Sequence, residues 1–563
     1  MISTKIKKLR SKFNFYNLDG YVVPKNDNYF NEYSSPDRLK FISNFDGSAG
    51  LAIILRNKNY LFVDGRYTIQ AKSQSGAYFD VVEIHKKLPW KVLNRGMKIG
   101  YNPYFFTSSS LARYFKNYFV LVPIYDDFLG KKKSIKVNNK FYFLESHFSG
   151  ESSKSKINKV LRYLREDNSD SLFVTAPENV AWLLNLRGKD NPHSPIPNCQ
   201  LILKKNGEIY LFANKSKTQN LSTKKNFLKV KIIDENKINS FLKNLESKKI
   251  ILDRLSCSIA YRNILKNEIN ISNKNDPIYN MKAIKNNIEI ENFKKSHIFD
   301  GVAVIKFLYW IKNHKKKISE LDAIKKLNFF RRKNKNYLFP SFNTISASGP
   351  NGAIIHYRVN KNSNRIIKKN DIFLCDSGGQ YKYGTTDITR TISLGSQSKK
   401  IKNIFTYVLK GHIAVANSNL NKLKSAHLID NLARKFLKRK GLDYPHGTGH
   451  GVGYFLNVHE GPIAISKDYK IMLKPGHVIS NEPGFYKKGK FGIRLENMIY
   501  VKQIKGKVFF ENLTMVPIDK ELINFSLLNK NEKNYLLNYN LRIYSNVEKY
   551  LNYEEKFWLL SQF

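Results

Sequence analysis

Short apolar runs bounded by Gly, Pro and Asn fill the N-terminal part of the chain, and they come twice. The run GYVVPKND from Gly20 leads into FISNFDGSAGLAIILRNKNYLFVDGR, and SLFVTAPEN later leads into AWLLNLRGKD and CQLILKKNGEIYLFANKS. Each copy predicts a β-rich run with a Pro turn, a short helix ending in Asn, a loop, and two apolar strands. The strands join at an Asn-containing turn, Arg56 to Asn59 in one copy and Lys204 to Gly207 in the other. Two related α/β domains are the simplest account.

From Met281 the period changes. Val304, Phe307, Leu308 and Ile311 recur at the i, i+3, i+4, i+7 spacing of a helix face, so a long helix opens a third domain. Strands rich in Ile, Val, Thr and Phe then alternate with Gly, Asn and Pro loops, which predicts an α+β arrangement with antiparallel sheet. The tail from Leu522 to Phe563 is helical in pattern, and its apolar end FWLLSQF is expected to pack on its own domain or on a partner subunit. The expected divisions are 1–146, 147–278, 279–517 and 518–563.

Composition narrows the class. A chain of 563 residues with 42% hydrophobic and 13% aromatic residues has the core supply of several globular domains, which excludes wholesale disorder. Lys and Arg outnumber Asp and Glu 96 to 45, a net charge of +51 that raises a nucleic-acid reading. The lysines are spread along the chain, with only short clusters such as Lys131 to Lys133 and Lys315 to Lys317, and no binding signature accompanies them. The charge therefore reads as a solvated surface shaped by codon bias, with weak polyanion binding at low salt and no specific nucleic-acid partner. The N-terminus lacks the apolar run and cleavage site of a secretory signal, and the most apolar stretch, Gly301 to Ile311, is interrupted by Lys306. Cys199, Cys257 and Cys375 are too few for a disulfide framework or a thiolate metal module. A soluble cytoplasmic protein is expected, with no membrane association.

The chemistry lies in acidic residues and histidines embedded in β-type sequence, where burial is costly unless something pairs with them. DIFLCDSGGQY puts Asp376 at the end of one apolar strand and GTTDITRTI puts Asp387 inside another, so the two carboxylates would sit side by side on a hairpin. Like charges that close need a cation between them. Downstream, HGTGHGVG carries His446 and His450, VHEGP carries His459, SNEPGFY carries Glu482, and GIRLENMIYV carries Glu496. Two Asp, one His and two Glu form a donor set suited to two hard or borderline divalent ions, Mn²⁺ before any thiolate metal. HGTGHGVG fits neither a GxGxxG loop nor a Walker lysine, and HEGPI has Ile463 where a zincin needs its second histidine.

The segments DSGGQY–GTTDITRT, HGTGHGVG, NEPGFY and GIRLEN resemble, in order and spacing, the motifs of the pita-bread metallopeptidases of family M24. GAIIHYRV and the three-domain length resemble the long Xaa-Pro aminopeptidases in particular. PDRLKFISNFDGSAG and LFVDGRYTIQ look like the first domain of that group, NLRGKDNPHSPIP like the second, and NLTMVPIDKELINFSLL like its C-terminal extension. The resemblance implies two creatinase-like α/β domains followed by a pita-bread catalytic domain. It implies that Asp376 and Asp387 bind one metal, with Asp387 and Glu496 bridging to a second completed by His450 and Glu482. A bridging water would then lose a proton near neutral pH and attack the Xaa-Pro bond, with Glu482 as general base. His459 would hydrogen-bond the scissile carbonyl, and His356 and His446 would line the pocket for residues around the proline. Arg494 would orient a bridging carboxylate, and Tyr381 would support the site from behind. Arg187 and Asp190 would reach toward a neighbouring subunit.

Two divalent ions per subunit, Mn²⁺ with Zn²⁺ or Co²⁺ as alternatives, a homodimer, and peptides with proline second are further implications. HYRV lacks a proline that many relatives carry, Gly379 stands where Ala is frequent, and Cys375 precedes the first ligand; these bear on fine specificity. A prolidase would keep the same ligands with one N-terminal domain, a methionine aminopeptidase would be far shorter, and a non-catalytic pita-bread binding module would have lost ligands. The expected activity is release of an N-terminal residue that precedes proline, and a tertiary amide without an N–H needs a dedicated enzyme for this.

Overall fold

The two N-terminal repeats fold into two six-stranded sheets with the same strand order. In the first, β1 (Gly20–Pro24), β2 (Leu51–Leu55), β3 (Asn59–Val63), β4 (Asp80–Glu83), β5 (Lys98–Tyr101) and β6 (Val120–Pro123) lie in the order β4-β3-β2-β1-β5-β6. In the second the order is Val230–Asp234, Ile209–Ala213, Cys199–Lys204, Ser171–Val174, Lys249–Leu252 and Asn270–Asn273. Both sheets are mixed: a tight hairpin and the strand that precedes it pair antiparallel, and the outer strands join in parallel. The expected helix-ending asparagines are Asn44 (φ 63°) and Asn185 (φ 51°), both left-handed, a conformation Asn tolerates better than most side chains. The second hairpin turns at Gly207 (φ 92°), where a positive φ favours glycine.

The computed structural model describes residues 1–33, 36–130, 139–221, 229–423 and 425–563, so the Lys131 to Lys133 cluster lies outside the described residues. The chain divides into two compact units, Met1–Ser146 with Glu151–Tyr279, and His147–Gly150 with Asn280–Phe563. The second unit opens on the helix Asn287–Asn313, 27 residues long, started by a capping box between Asn286 and Glu289. Its expected apolar face, Val304, Phe307, Leu308 and Ile311, is buried. At roughly 1.5–3 kcal/mol for each large apolar side chain removed from water, that face is a main contributor to the core of this unit.

Sheet in this unit is antiparallel throughout the described residues, as its alternation predicts. Ile345–Ser348, Ile372–Ser377 and Ile388–Ser393 form one ribbon, Val478–Asn481, Asn497–Ile504 and Lys507–Asn512 another, and Gly484–Lys487 pairs with Phe491–Arg494. Two C-terminal helices, Lys530–Val547 and Tyr553–Ser561, each start at an Asn/Glu capping box, Asn529 with Glu532 and Asn552 with Glu555. Leu536, Tyr539, Ile543, Val547 and Leu559 share one core with Phe307 and Ile311, and Trp558 and Phe563 pack against it. The apolar C-terminal end thus packs on its own unit through these residues, while Phe557 and Leu560 stay exposed. No helix among the described residues is long and apolar enough to cross a membrane.

Candidate metal centre

Register brings the acidic residues together. Ile372–Ser377 pairs with Ile388–Ser393 so that Asp376 faces Thr389, and Asp387 stands one residue before the second strand rather than inside it. Between them the chain detours through Gly379–Tyr381 and Gly384–Thr385, which pair with each other. Gly378 makes this detour possible: a Cβ there would lie 2.0 Å from the Thr386 carbonyl oxygen and 2.2 Å from Ser341 Oγ. At Gly379 a Cβ would come within 2.7 Å of the Tyr381 ring.

His450 ends the short strand Gly449–His450, which pairs with Ala464–Ile465. Its Nδ1 lies 3.0 Å from the Gly451 carbonyl, which makes Nδ1 the donor and turns Nε2 toward Asp387 Oδ2 at 3.5 Å and Glu482 Oε1 at 3.6 Å. A metal-binding histidine commonly has this arrangement, with the second ring nitrogen donating to a backbone oxygen. Ser480 accepts from the His450 backbone N–H at 2.9 Å and donates to Glu482 Oε1 at 3.1 Å, so one hydroxyl aligns both side chains. One ligand atom each from Asp387, His450 and Glu496 lie within 4.8 Å of one another.

The electrostatics are those of an over-filled acidic site. Burial, with added repulsion from Asp387 and Glu482, pushes the Asp376 carboxyl up to about 6 against the opposing pull of Arg494. Burial and the same carboxylates raise Glu496 well above the usual range. For His450, burial alone would lower the pKa, yet Asp387 and Glu482 carry it up to about 9. Asp376 Oδ1 is buried without a hydrogen-bond partner. A desolvated carboxylate oxygen with no donor, beside three further carboxylates and an imidazole, is what a divalent cation would satisfy.

Arg494 braces the cluster from the strand Phe491–Arg494. Its Nη2 pairs with Asp376 Oδ2 at 2.5 Å, its Nη1 donates to Tyr486 Oη at 2.8 Å, and its Nε donates to Thr389 Oγ1 at 3.1 Å. Thr389 in turn donates to Glu496 Oε2 at 2.8 Å. The expectation that Arg494 orients a bridging carboxylate is therefore modified: its direct partner is Asp376, and Glu496 is reached through Thr389. Tyr381 lies one layer further out. It is fully buried and its hydroxyl donates to Asp300 Oδ1 at 2.8 Å, whose carboxylate pairs with Arg331 at 2.7 Å. Arg331 reaches Ser377 Oγ at 3.0 Å, so Tyr381 supports the strand that carries Asp376 and touches none of the five acidic and imidazole groups through that hydroxyl.

Two histidines of the expected pocket, His446 and His459, border the same cluster. His446 Nδ1 lies 2.7 Å from the Gly447 carbonyl and Nε2 lies 2.9 Å from Tyr486 Oη. Burial holds the His446 pKa down to about 4, so the ring is neutral, with its proton on Nδ1 and with Nε2 accepting from Tyr486. His459 is exposed, its ring 4.3 Å from that of His450. His356 is half-buried beside Ile355, whose carbonyl takes a long 3.4 Å bond from Arg494, and the next residue, Tyr357, is anchored 2.9 Å from Glu320 Oε2. In the first unit, Arg187 is buried and donates to the Ala181 carbonyl, and Asp190 pairs with Lys217. Their expected reach toward a neighbouring subunit rests on resemblance alone. Thr389, Ser480 and Tyr486 were not singled out from sequence: a Thr in TRT, a Ser two before Glu482 and a Tyr four after it carry no spacing signal of their own.

The chain matches the family model for metallopeptidase family M24 over residues 291–503 and the C-terminal region of peptidase M24 over 507–562. The Creatinase/Prolidase N-terminal domain matches twice, over 5–124 and 132–289. It is 37% identical to a probable Xaa-Pro aminopeptidase P of Laccaria bicolor over 97% of this chain and 90% of that one, and 35% identical to one of Coprinopsis cinerea over 98% and 96%. Among solved structures, the X-prolyl aminopeptidase of Caenorhabditis elegans, described as a cytosolic enzyme with a di-nuclear active site, superposes with a TM-score of 0.93. It is 29% identical and covers 100% of this chain and 99% of its own. The prolidase of Pyrococcus horikoshii, 25% identical with a TM-score of 0.53, is covered entirely by 66% of this chain. Two creatinase-like α/β domains followed by an M24 catalytic domain make up the fold, and the chain belongs to metallopeptidase family M24, with the Xaa-Pro aminopeptidases P.

Proposed function

We propose that this protein is a metal-dependent Xaa-Pro aminopeptidase, which hydrolyses the bond between an N-terminal residue and a following proline. The observation that carries the reading is a cluster of four carboxylates and an imidazole, with Asp376, Asp387 and Glu496 buried, His450 and Glu482 half-buried and Asp376 Oδ1 unpartnered, in a chain similar along nearly its whole length to Xaa-Pro aminopeptidases P. Asp376, Asp387, His450, Glu482 and Glu496 would hold two divalent cations, and an oxygen-rich set with one imidazole suits Mn²⁺, with Zn²⁺ or Co²⁺ as alternatives. When bound, such ions polarise a carbonyl and lower the pKa of water.

The residues of this chain do the rest. Glu482, aligned by Ser480 Oγ at 3.1 Å, takes the proton of the attacking water and passes it to the leaving proline nitrogen. Burial would raise the Glu482 pKa, but His450 and Arg494 outweigh it and keep the carboxylate ionised, ready to accept. His459, exposed beside His450, donates to the developing oxyanion. His446, held neutral against Tyr486, and His356 line the pocket for the proline side of the substrate. A cytoplasmic homodimer is part of this reading, supported by three buried free cysteines and by the exposed apolar side chains Leu537, Leu541, Tyr553 and Phe557 on the C-terminal helices. The divisions after residues 146, 278 and 517 belong to it as well.

The test is release of the N-terminal residue from an Xaa-Pro-Xaa tripeptide and from an Xaa-Pro dipeptide with added Mn²⁺, beside Asp387→Ala. Cleavage of the tripeptide that is lost in the variant and after chelation is expected. Cleavage of the dipeptide alone would make the protein a prolidase, and cleavage of neither by metal-loaded protein would turn the reading to a peptide-binding module.

A further inference from the structure

Next to the metal centre, the catalytic unit buries a second charged cluster that the mechanism above does not use. Glu460, which directly follows His459, is 5% exposed, and its two carboxylate oxygens are divided between two lysines. Lys282 Nζ lies 2.9 Å from Oε2 and Lys285 Nζ lies 2.7 Å from Oε1, and all three side chains are almost wholly removed from water. Lys285 also donates to the Lys282 carbonyl at 3.0 Å, so the pair of ammonium groups is fixed as one cradle. Two cations around one anion is a poor choice for stability alone, because desolvating three charges costs more than their attraction returns unless geometry is gained.

The geometry gained is visible in the backbone. The Glu460 N–H donates to the Gly451 carbonyl at 2.8 Å, and the Gly451 N–H donates to the Ile463 carbonyl at 2.8 Å. Gly451 follows His450, so the backbone of the His459–Glu460 pair is tied to that of the His450–Gly451 pair. Both flanking glycines are required by this packing: a Cβ on Gly451 would lie 2.3 Å from the Glu460 carbonyl oxygen, and one on Gly453 would lie 2.6 Å from Glu460 Oε2. The lysine side is equally fixed, since the Lys285 N–H donates to the Gly476 carbonyl at 2.9 Å and Ile284 bridges to His477.

We propose that Glu460, clamped between Lys282 and Lys285, is a positioning residue that sets the place of His459 relative to His450. The inference rests on the aminopeptidase reading for its catalytic consequence. Without the clamp, the excursion from Gly451 to Ile463 keeps its backbone bonds but loses the side-chain anchor next to His459, and the exposed His459 ring drifts from the carbonyl it must meet. A displacement near 1 Å at a catalytic group costs on the order of a hundredfold in rate.

Two variants test this. Glu460→Gln keeps the shape and removes the charge, and Lys282→Met leaves one lysine against one carboxylate, a neutral pair that folds even where the amide variant does not. With an Xaa-Pro-Xaa tripeptide and Mn²⁺, Glu460→Gln is expected to lower kcat by about ten- to hundredfold and Lys282→Met by about three- to tenfold. KM should stay within about twofold and metal content at the wild-type level, because the five ligands are not touched. A crystal structure of Lys282→Met supplies a readout independent of turnover: the His459 ring should leave its edge-on contact with His450, 4.3 Å between ring centroids. Unchanged ring positions, or a kcat per folded and metal-loaded molecule within twofold of wild type for Lys282→Met, would overturn the inference. Failure of the wild-type protein to cleave any Xaa-Pro peptide would overturn the activity reading instead, and the ring positions would still decide this one.

Discussion

Asp376 faces Thr389 across an antiparallel strand pair, and the Thr389 hydroxyl accepts from Arg494 while donating to Glu496. One hydroxyl therefore couples the guanidinium that grips Asp376 to a carboxylate at the other end of the cluster. Thr389→Val keeps the shape and deletes both bonds. Loss of such a supporting contact is expected to weaken Mn²⁺ binding about ten- to hundredfold and to cost about 1–3 kcal/mol of stability, since two buried polar groups lose a partner. Calorimetric titration of the metal-free variant checks the first figure, with Thr389→Ser as the variant that restores binding. Wild-type affinity in Thr389→Val would remove Thr389 from the site.

The Asp376 pKa of about 6 makes the metal-free protein sensitive to pH in a definite direction. A carboxyl raised above its unfolded value contributes stability that is fully present below about pH 4, and that is lost as pH rises through about 6. The loss is on the order of 3 kcal/mol, from a shift of about two pH units. Urea denaturation of chelated protein across this range should show it, and Asp376→Asn, which has no charge to bury, should show a flatter profile. Parallel profiles would mean that burial does not hold Asp376 protonated.

Glu460 shifts the opposite way. Burial would raise its pKa, but Lys282 and Lys285 outweigh that and hold it below the ordinary value. Its contribution to stability is therefore present above about pH 4.5 and disappears as pH falls below it. The gap in melting temperature between wild type and Glu460→Gln should close on acidification from pH 6 to pH 3. A gap that stays constant would mean that the ion cluster does not form in solution.

Much of this was legible in sequence. The five acidic and imidazole groups stood out because each interrupts β-type sequence, where an unpaired charge is expensive. The long helix was legible because Val304, Phe307, Leu308 and Ile311 keep a helical period, and the doubled sheet because each copy carries its own turns. Cross-strand register was not legible: nothing local says that Asp376 meets Thr389 rather than a residue two further along. Ser480 and Tyr486 escaped for the same reason, since they matter only through partners brought close by folding. Lys282 and Lys285 were hidden in a chain so rich in lysine that two more carry no signal, until burial separates them from the rest.

Leu559 tests whether the C-terminal helix belongs to the catalytic core. Its side chain is fully buried in the cluster that holds Phe307 and Ile311, whereas Phe557 on the same helix is 69% exposed. Leu559→Ala should cost about 2–5 kcal/mol, and Phe557→Ala should stay within about 0.5 kcal/mol of wild type if that face is free in solution. Thermal denaturation of both separates the cases, and a large loss for Phe557→Ala would mean that another surface covers it.

The helix caps put the unusual composition in a different light. Asn102, Asn214, Asn286, Asn524, Asn529 and Asn552 all serve as N-caps whose side chains accept a backbone N–H. Asn caps a helix about as well as Ser or Asp, so a composition rich in asparagine costs nothing at such boundaries. An asparagine-rich chain thus loses nothing where its helices begin, since an amide oxygen, a hydroxyl and a carboxylate all accept the same backbone N–H there.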